Sequence, residues 1–514
     1  MHTRLETARF LAALAAMSTA SAAWAQTSSW PPPTDAPVVT QHQLTLDGSP
    51  LKYTARAGFL TLRDESNTAH ARIFYVYYQS ANPKKSSRPL TFAWNGGPGS
   101  NASLLHLGAL GPVRVKDLAE YSSGAPPPPY QLTDNESAWL DKTDLVFVDP
   151  VGTGYSYPVE TRYGKEFWSP KGDIASITEF IRLFLSQYDY AQETPIFLVG
   201  ESYGTIRAAG VSAALGDKGL NVAGVVLISA ALQSTGARSD VEAISLVPSY
   251  TAAAFEQKRL PADLQQNLDA AVQQSQEWAS TKYSVALLQG DRLAPAERAS
   301  VVKDFARYTG LSEEYVRQQG LEIGMEEFAG QLLADKKQVV GHYDVRTTAA
   351  STSSEGEYDP TRDPSLDTHG TGAMIVPYLR SQLDITTDAR YAGPFGGGWP
   401  PPTQHRGDWM SVKWDWSEGV SVDASAALAR AMRANKGMRV LVISGLYDLA
   451  TPFAATEYAF AHMGLDPATR ARAELVRYKA GHMVYLDAAT RKQLKRDFVS
   501  LVGKALTPAP QSTR

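Results

Sequence analysis

Cysteine is absent from all 514 residues of the chain. This absence excludes a disulfide framework, a thiolate metal site, a cysteine nucleophile and a lipidated cysteine behind a leader. Stability must therefore come from the hydrophobic core. With 43% hydrophobic residues, the chain is long enough for one large core and a sizeable inserted segment.

Neither sign of charge is in large excess, because 49 basic and 53 acidic residues leave a formal net charge of −4. Such a balance provides no broad basic surface, so no nucleic-acid partner is expected, and small or peptide substrates fit better. The chain also lacks a metal-ligand cluster and a cofactor fingerprint. We therefore expect no metal and no cofactor.

Long apolar runs are also missing, apart from a short one near the start. Phe10 to Ala20 follows a polar start that includes Arg4 and Arg9, and precedes the small-x-small sequence Ala23 to Ala25. This pattern predicts a signal peptide over 1–25 and a periplasmic or secreted protein. A membrane anchor is the alternative, but the run is shorter than the ~20 residues that span a bilayer. No membrane span is expected after cleavage.

Periodic patterns divide the rest of the chain. A Pro- and Ser-rich linker is predicted over 26–37, and alternation around the turn at Asp47-Gly48 predicts antiparallel hairpins over Val38 to Gln79. Short apolar runs separated by helical segments then predict a doubly wound α/β sheet of buried parallel strands. These strands are Leu90 to Trp94, Asp144 to Asp149, Pro195 to Val199, Val222 to Ser229, Arg439 to Ser444 and Ala473 to Tyr478.

The strand rhythm stops between about Gly236 and Val420. Polar helical stretches, Leu264 to Tyr283 and Glu313 to Asp335, give way to loops rich in proline, glycine and tryptophan. We predict a cap over 236–420 inserted into a sheet domain made of 38–235 and 421–514. Four aromatic residues are candidates to line a cleft, although core packing is the favoured alternative: Trp399, Trp409, Trp414 and Trp416.

The most informative segment is a buried strand that enters Gly-Glu-Ser-Tyr-Gly at 200–204 and continues as a helix. A nucleophile elbow requires this context, because its sharp turn exposes the serine hydroxyl and its glycines allow close backbone approach. Ser202 is therefore the candidate nucleophile. An ordinary strand-to-helix turn is the alternative for this motif taken alone.

A serine nucleophile needs a base and an acid that orients the base. Asp448 follows the strand Arg439 to Ser444, and His482 follows the next strand, so both are expected at the sheet edge where Ser202 lies. His462 also follows Asp448, but it ends a helical stretch and is expected to cap it or face solvent. For Asp448 alone, a turn or helix-capping role is the alternative.

The glycine-rich loop Asn95 to Gly99 closes another predicted strand. The backbone amides of Gly97 and Tyr203 are candidates for an oxyanion hole, against a glycine turn without function. Glu201 places a carboxyl group beside the nucleophile and near Asn95. If both bind a substrate carboxylate, Glu201 must be protonated, which predicts activity favoured by acid; the alternative is a structural hydrogen bond.

Together these residues resemble the serine carboxypeptidase family. The matching motifs begin at Asn95, Asp149, Gly200, Ser444 and Gly481, in the family's order. The resemblance implies an α/β-hydrolase fold with an inserted cap and a triad of Ser202, Asp448 and His482. It also implies an oxyanion hole from Gly97 and Tyr203, and recognition of the free C-terminal carboxylate of a peptide by Asn95, Gly96 and Glu201.

Two positions depart from the family pattern. The chain has Ser100-Asn-Ala-Ser103 where the family often has a cysteine and two serines, so the usual disulfide bracing is absent. It also has Ala93 where the family often has tryptophan, with Trp94 next to Asn95. The first departure concerns stability and the second concerns carboxylate recognition.

We expect an exported serine carboxypeptidase that acts through an acyl-enzyme intermediate on peptides with a free C-terminus. An esterase or acyltransferase with the same triad is the main alternative. A non-catalytic binding protein is a third hypothesis. A prolyl aminopeptidase shares a Gly-Gly-Pro-Gly loop but usually has glycine and tryptophan where this chain has Glu201 and Tyr203.

Overall fold

A computed structural model describes ten stretches of the chain. They are residues 36–81, 88–116, 129–190, 193–234, 239–351, 358–366, 370–387, 389–393, 414–415 and 422–507. The predicted signal peptide and Trp399, Trp409 and Trp416 lie outside these residues, as does most of the predicted linker. Among the helices in these stretches, none has both the length and the apolar character needed to cross a bilayer.

A ten-stranded mixed sheet forms the centre of the described fold. Nine of its strands are β1 (Val38–Leu46), β2 (Ser49–Arg63), β3 (Ala69–Ser80), β4 (Leu90–Trp94), β5 (Asp144–Val148), β6 (Ile196–Glu201), β7 (Val222–Ile228), β8 (Arg439–Gly445) and β9 (Ala473–Tyr478). Their spatial order is β1-β2-β3-β5-β4-β6-β7-β8-β9, and the short strand Tyr157–Pro158 pairs with β3. This architecture confirms the predicted α/β-hydrolase fold class.

The type of strand pairing changes once across the sheet, from antiparallel to parallel. β1, β2 and β3 are antiparallel to their neighbours, and β3 pairs antiparallel with β5. From β5 through β4, β6, β7 and β8 to β9 every pairing is parallel. The carboxyl ends of these six strands therefore lie at one edge, where open α/β sheets bind ligands.

Helices cover both faces of the sheet. The longer helices of the described chain, including those that pack away from the sheet, are α1 (Pro170–Gln187), α2 (Tyr203–Asp217), α3 (Asp240–Glu256), α4 (Leu268–Trp278), α5 (Pro295–Thr309), α6 (Gly370–Ser381), α7 (Ala424–Ala434), α8 (Phe453–His462) and α9 (Ala488–Leu506). Residues of α1, α2 and α7 share one buried apolar cluster with the sheet. Residues of α6 and α9 share the cluster on the opposite face.

Helix α1 begins one turn before Ile174, the first residue of its apolar periodic pattern. Ser169 is its N-cap, and the Ser169 hydroxyl accepts a hydrogen bond from the amide of Gly172 at 3.1 Å. Pro170 occupies the first helical position, where its missing N–H costs nothing. The cap and the proline, which carry no helical periodicity, thus set the start of the helix.

The chain between β7 and β8 builds a helical insertion, which we define as Asp240–Ser381. Its helices α3, α4 and α5 bury a third apolar cluster, which also includes Leu446 and Leu449 from the loop after β8. The insertion is more broken than its sequence pattern predicted. Its remaining helical segments are the short α-helices Ser284–Gln289, Glu313–Gln319 and Met325–Gln331, the π-helical turn Ala279–Tyr283, and the 3-10 turns Leu264–Gln266, Gly290–Arg292, Ala334–Lys336 and Pro360–Arg362.

The two polar helical stretches predicted in the insertion are helical, but each of them is interrupted. The stretch Leu264 to Tyr283 contains α4 between a 3-10 turn and a π-helical turn. The stretch Glu313 to Asp335 is split because Gly320 adopts φ 88° and ends the first helix, and Gly324 caps the next. A positive φ favours glycine and terminates a helix. The predicted cap bounds at 236 and 420 stay a prediction.

The sheet domain is completed by short elements. Its short strands are Val113–Val115, Leu132–Asp134, Gln233–Ser234 and Val422–Asp423, and its short helical segments are Ser103–Leu105, His106–Leu110, Thr161–Glu166 and Pro467–Arg470. The insertion contains a β-hairpin, formed by Gln338–Val340 and Thr348–Ala350.

Trp414, one of the four candidate cleft aromatics, packs edge-on against the ring of Tyr203, with centroids 5.2 Å apart. It lies against the apolar cluster of α1 and α2, in agreement with the core-packing interpretation.

Candidate active site

Ser202 lies at a sharp turn between β6 and α2. Its backbone adopts φ 57° and ψ −129°, a sparsely populated conformation for a residue with a side chain. The turn is held by a hydrogen bond from the Ser202 amide to the carbonyl of Ile228 at 2.9 Å. Positive φ at the residue between a buried strand and a helix is the geometry of a nucleophile elbow.

The two glycines of the elbow are required by close backbone approach. A Cβ added at Gly200 would lie 2.1 Å from the carbonyl oxygen of Gly204. A Cβ added at Gly204 would lie 2.9 Å from the carbonyl oxygen of Asn95. Because side chains cannot occupy these spaces, the motif can close only with glycine on both sides of the serine.

Asp448 and His482 meet at the same edge of the sheet. The Nδ1 atom of His482 is 2.8 Å from Oδ2 of Asp448, and both side chains are buried. Oδ1 of Asp448 accepts hydrogen bonds from the amides of Ala450 and Thr451 at 2.9 and 3.0 Å. The Thr451 hydroxyl donates to Oδ2 at 2.5 Å. These contacts fix the carboxylate beneath the imidazole.

The electrostatics of this pair favour an ionised acid. Burial alone would raise the pKa of Asp448, but His482 and the donors of Thr451 outweigh it and hold that pKa below its usual value. Burial likewise acts to lower the pKa of His482, but the charge and hydrogen bond of Asp448, with a contribution from Glu201, raise it instead. The histidine is therefore a stronger base than a free imidazole.

The serine and the histidine are close in the fold but not hydrogen-bonded. In the described part of the chain, the hydrogen bonds of the His482 ring engage Nδ1, and the Ser202 hydroxyl donates none to Nε2. Their backbones are joined through β7, since Ser229 donates to the His482 carbonyl at 2.6 Å and its neighbour Ile228 accepts from Ser202. Catalytic hydrogen bonds are commonly long before substrate binds.

The loop after β4 packs directly on the elbow. A Cβ added at Gly96 would lie 2.6 Å from the amide nitrogen of Tyr203 and 2.5 Å from the carbonyl oxygen of Glu201. Gly97 adopts φ 101°, and its peptide bond to Pro98 is cis. The glycine backbone therefore lies beside the Tyr203 amide, as two amides that share an oxyanion must.

A second buried carboxyl group lies one residue before the nucleophile. The Nδ2 atom of Asn95 donates a short hydrogen bond to Oε2 of Glu201, and the Tyr485 hydroxyl donates to the same oxygen at 2.8 Å. Burial is the main cause that raises the pKa of Glu201 to about 7. The structure thus brings together Asn95 and Glu201, which the sequence pattern had paired.

Some residues of the site carry no recognisable sequence motif. Arg207 and Asp173 form a fully buried ion pair at 2.8 Å beneath the elbow. Arg207 also donates to the carbonyl of Asn95 at 2.9 Å, and the Tyr203 hydroxyl donates to Asp173 at 3.1 Å. This network fixes the glycine loop to α2. Asp173 lies in the first turn of α1 and Arg207 in α2, and no sequence pattern paired the two residues.

The loop that follows Gly99 is fixed without a disulfide. The side-chain oxygen of Asn101 accepts from the amide of Ser103 at 3.1 Å, and its amide nitrogen donates to the carbonyl of Ala392 at 2.9 Å. Asp149 accepts from the amide of Ala102 at 2.9 Å. Side-chain hydrogen bonds therefore brace this loop in a chain that has no cysteine.

The insertion contacts the loops that carry Asp448 and His482. The carbonyl of Tyr343 accepts from the amide of His482 at 2.7 Å, and the two rings lie 5.2 Å apart. The Leu449 amide donates to the carbonyl of His342 at 2.9 Å. A Cβ at Gly481 would lie 2.5 Å from the Asp344 carboxylate. The segment 342–344 therefore contacts the loops of both the acid and the base.

His462, the other histidine after Asp448, has no part in this arrangement. It is exposed at the end of α8, where its Nδ1 is 2.8 Å from the Tyr458 carbonyl and its ring stacks on Tyr458. The expectation that it faces solvent is confirmed. Fold and geometry together define the class of protein: an α/β hydrolase with a serine at the elbow and an Asp-His pair beside it.

Comparison with known proteins gives the family. A model of the serine carboxypeptidase family matches residues 47–319, more than half of the chain. The chain belongs to the serine carboxypeptidase family, which confirms the resemblance read from the motifs. The matched range includes Ser202 and Glu201 but ends before Asp448 and His482.

The similarity to individual relatives is local. The chain is 31% identical over 176 residues to the pheromone-processing carboxypeptidase kex1 of Aspergillus niger, covering 34% of this chain and 26% of that protein. It is 30% identical over 155 residues to serine carboxypeptidase-like 5 of Arabidopsis thaliana, covering 30% of this chain and 33% of that protein. The matches thus span about a third or less of these relatives.

The structural similarity is more extensive. A prohormone-processing carboxypeptidase from Saccharomyces cerevisiae superposes with a TM-score of 0.53 at 16% identity, covering 89% of this chain and 93% of that one. At this identity the superposition shows a shared fold. It does not by itself transfer an activity.

Proposed function

We propose that the protein is a serine carboxypeptidase that releases C-terminal residues from peptides through an acyl-enzyme intermediate. The observation that carries the proposal is the buried pair of Asn95 and Glu201 next to Ser202. A generic esterase has no need of a carboxyl group beside its nucleophile. A clamp for the free carboxylate of a peptide needs one that can be neutral.

In the proposed reaction, Nε2 of His482 takes the proton of the Ser202 hydroxyl while Oγ attacks the last peptide carbonyl. The amides of Gly97 and Tyr203 hold the resulting oxyanion, which typically contributes ~10²–10³ in turnover for each donor. His482 then protonates the departing amine, and the ester that remains on Ser202 is hydrolysed by water. Asp448 orients the imidazole and stabilises its cation.

Recognition of the substrate requires a protonated Glu201. Two adjacent carboxylates cannot both be ionised cheaply, so Glu201 binds the terminal carboxylate as a neutral donor. With a pKa of about 7, Glu201 carries its proton in acid and loses it as the pH rises through neutrality. The protonation of Glu201 therefore favours peptide cleavage in acid, down to the pH at which His482, whose pKa is also raised, becomes protonated and the rate falls on an acid limb. Asn95 and the glycine loop at Gly96 complete the clamp.

We also propose that the protein is exported after cleavage behind Ala25, as the leader pattern over 1–25 indicates. N-terminal sequencing of the protein recovered from outside the cytoplasm tests this point. A mature N-terminus at Gln26 supports it. Recovery of the intact leader in the cytoplasm contradicts it.

The first test is a mass-spectrometric time course on one peptide with a free C-terminus and on its C-terminal amide twin, in mild acid and at neutral pH. We expect stepwise shortening of the free peptide, fastest in acid, and little change of the twin. Equal cleavage of both peptides at all pH values would remove the proposed role of Glu201 and Asn95.

The matched variant is Ser202→Ala, which should abolish release while thermal unfolding stays near that of the wild type. Retained release by the purified variant would contradict the nucleophile assignment. Hydrolysis of a blocked peptide methyl ester without any shortening of free peptides would instead favour an esterase or acyltransferase at the same serine.

A further inference from the structure

Tyr485 follows the candidate base by three residues and lies outside the motifs that identify the site. Its side chain is fully buried, and its hydroxyl donates to Oε2 of Glu201 at 2.8 Å. Asn95 donates to the same oxygen through Nδ2. The two carboxyl oxygens of Glu201 are therefore not equivalent, because Oε2 already accepts two hydrogen bonds.

This asymmetry decides where the proton of a neutral Glu201 resides. A carboxyl oxygen that accepts two donors has little room for a proton of its own, so the proton belongs on Oε1. In the described part of the chain, Oε1 forms no hydrogen bond with the protein. It is the oxygen left for a ligand.

We propose that Tyr485 is a positioning residue that, with Asn95, holds Oε2 as an acceptor so that the Oε1 hydroxyl donates to the terminal carboxylate of the substrate. The inference deepens the proposed carboxypeptidase function and rests on it. It assigns to Tyr485 selectivity for free C-termini, with no part in the chemistry at Ser202.

Both donors are themselves held in place. The Leu105 amide donates to Oδ1 of Asn95 at 3.1 Å, which turns Nδ2 toward Glu201 and leaves its second N–H for the substrate. A Cβ added at Gly108 would lie 3.2 Å from the ring carbon Cε2 of Tyr485. Buried Arg491 donates to the Tyr485 carbonyl at 3.1 Å. The hydroxyl therefore has little freedom to turn elsewhere.

The groups that face Glu201 predict two effects of opposite sign. Burial raises its pKa, Asp448 adds to this, and His482, Tyr485 and Asn95 act in the opposite direction. Removing the Tyr485 hydroxyl should therefore raise that pKa and extend the protonated form to higher pH. The same change frees the carboxyl group to turn, which weakens substrate binding in acid.

The test is Tyr485→Phe, assayed with a peptide that has a free C-terminus and with a blocked peptide methyl ester. For the free peptide in acid we expect KM to rise about 3- to 10-fold, the loss of one hydrogen bond, with kcat nearly unchanged. The alkaline fall of kcat/KM should move to higher pH. Ester turnover should stay at the wild-type level.

The matched control is Tyr250→Phe, which removes a buried hydroxyl that donates to the Ile323 carbonyl in the insertion at 2.9 Å. It should move neither KM nor the pH profile. Glu201→Ala gives a second control, because Tyr485→Phe should have no further effect on KM in that background. If Tyr485→Phe folds poorly, Gly108→Ala displaces the same ring by a few tenths of an ångström and should raise KM for the free peptide only.

The outcomes separate the two proposals. If the wild type does not prefer the free peptide to its amide twin, the carboxypeptidase function fails. If it does, but Tyr485→Phe leaves KM and the pH profile unchanged, only the role of Tyr485 is overturned. An equal loss on free peptide and ester, or a loss that persists in the Glu201→Ala background, would show a merely structural role and overturn it as well.

Discussion

Two carboxyl groups are buried at the same sheet edge, Asp448 with 0% and Glu201 with 2% of its surface exposed. Their pKa values move in opposite directions. Asp448 accepts hydrogen bonds from two backbone amides, from the Thr451 hydroxyl and from His482, and its pKa is lowered. Glu201 accepts hydrogen bonds from two uncharged side chains, Asn95 and Tyr485, and its pKa is raised to about 7.

The difference shows that burial alone does not set the charge of an acid. Burial acts to raise the pKa of both groups, and the number of donors and a direct hydrogen bond to His482 decide the result. One acid thus remains ionised, and in the proposed function it orients the base. The other is neutral in acid and is able to donate a proton in a hydrogen bond.

The largest expected effect comes from replacing Asp448, the ionised acid, with a neutral residue. Asp448→Asn keeps the shape but cannot hold His482 in the right tautomer, so we expect kcat/KM to fall about 10⁴-fold on free peptides and on esters. Steady-state kinetics on both substrates provides the measurement.

The control for this variant is Asp466→Asn, which alters the N-cap of the exposed helix Pro467–Arg470 and should leave kinetics unchanged. A loss below tenfold in Asp448→Asn would mean that its ionised state is not what supports the base.

An intermediate effect is expected when Glu201 is replaced by a residue that cannot ionise. Glu201→Gln cannot ionise, so the fall in kcat/KM for free peptides above neutral pH should disappear. The wild type should lose about 100-fold over two pH units above the pKa of Glu201, and the variant should lose little. A pH profile on the free peptide measures this.

Ester turnover serves as the internal reference, because it does not require the clamp. An alkaline fall in Glu201→Gln as steep as in the wild type would assign that limb to another group.

The smallest of the three effects concerns a donor to the ionised acid. Thr451→Val removes the hydroxyl on Oδ2 of Asp448, which should raise the pKa of Asp448 and lower kcat/KM about tenfold. Since Asp448 then takes up a proton more readily, the acid limb of the profile should move to higher pH while the alkaline limb stays.

Thr309→Val is the matched control, because its buried hydroxyl donates to the Phe305 carbonyl within α5, away from the candidate site. An unchanged acid limb in Thr451→Val would show that the two backbone amides suffice to hold Asp448 ionised.

The parallel half of the sheet was readable from sequence because fully buried strands form continuous apolar runs. The predicted bounds of β4 and β9 agree with the structure, and those of the other parallel strands differ by one or two residues. The candidate site residues Asn95, Ser202, Asp448 and His482 each follow such a strand. Strand order and direction then place them at a common edge.

What the sequence did not reveal depends on contacts between distant positions. Tyr485 and Glu201 are separated by 284 residues, and Arg207 and Asp173 by 34, with no local pattern to pair them. The insertion was harder for a different reason. Its periodicity predicted helical stretches without their interruptions, and the glycine at 320 with φ 88° interrupts one of them.

The contact between segment 342–344 and the loops of Asp448 and His482 bears on how such a protein can be re-engineered. An insertion that only covered the substrate cleft could be replaced by another insertion to change which substrates enter. Here the backbone carbonyl of Tyr343 accepts a hydrogen bond from the amide of His482, and Asp344 fills the space beside Gly481. A chimera that swaps the insertion must therefore retain this tripeptide, or it will alter the base along with the entrance.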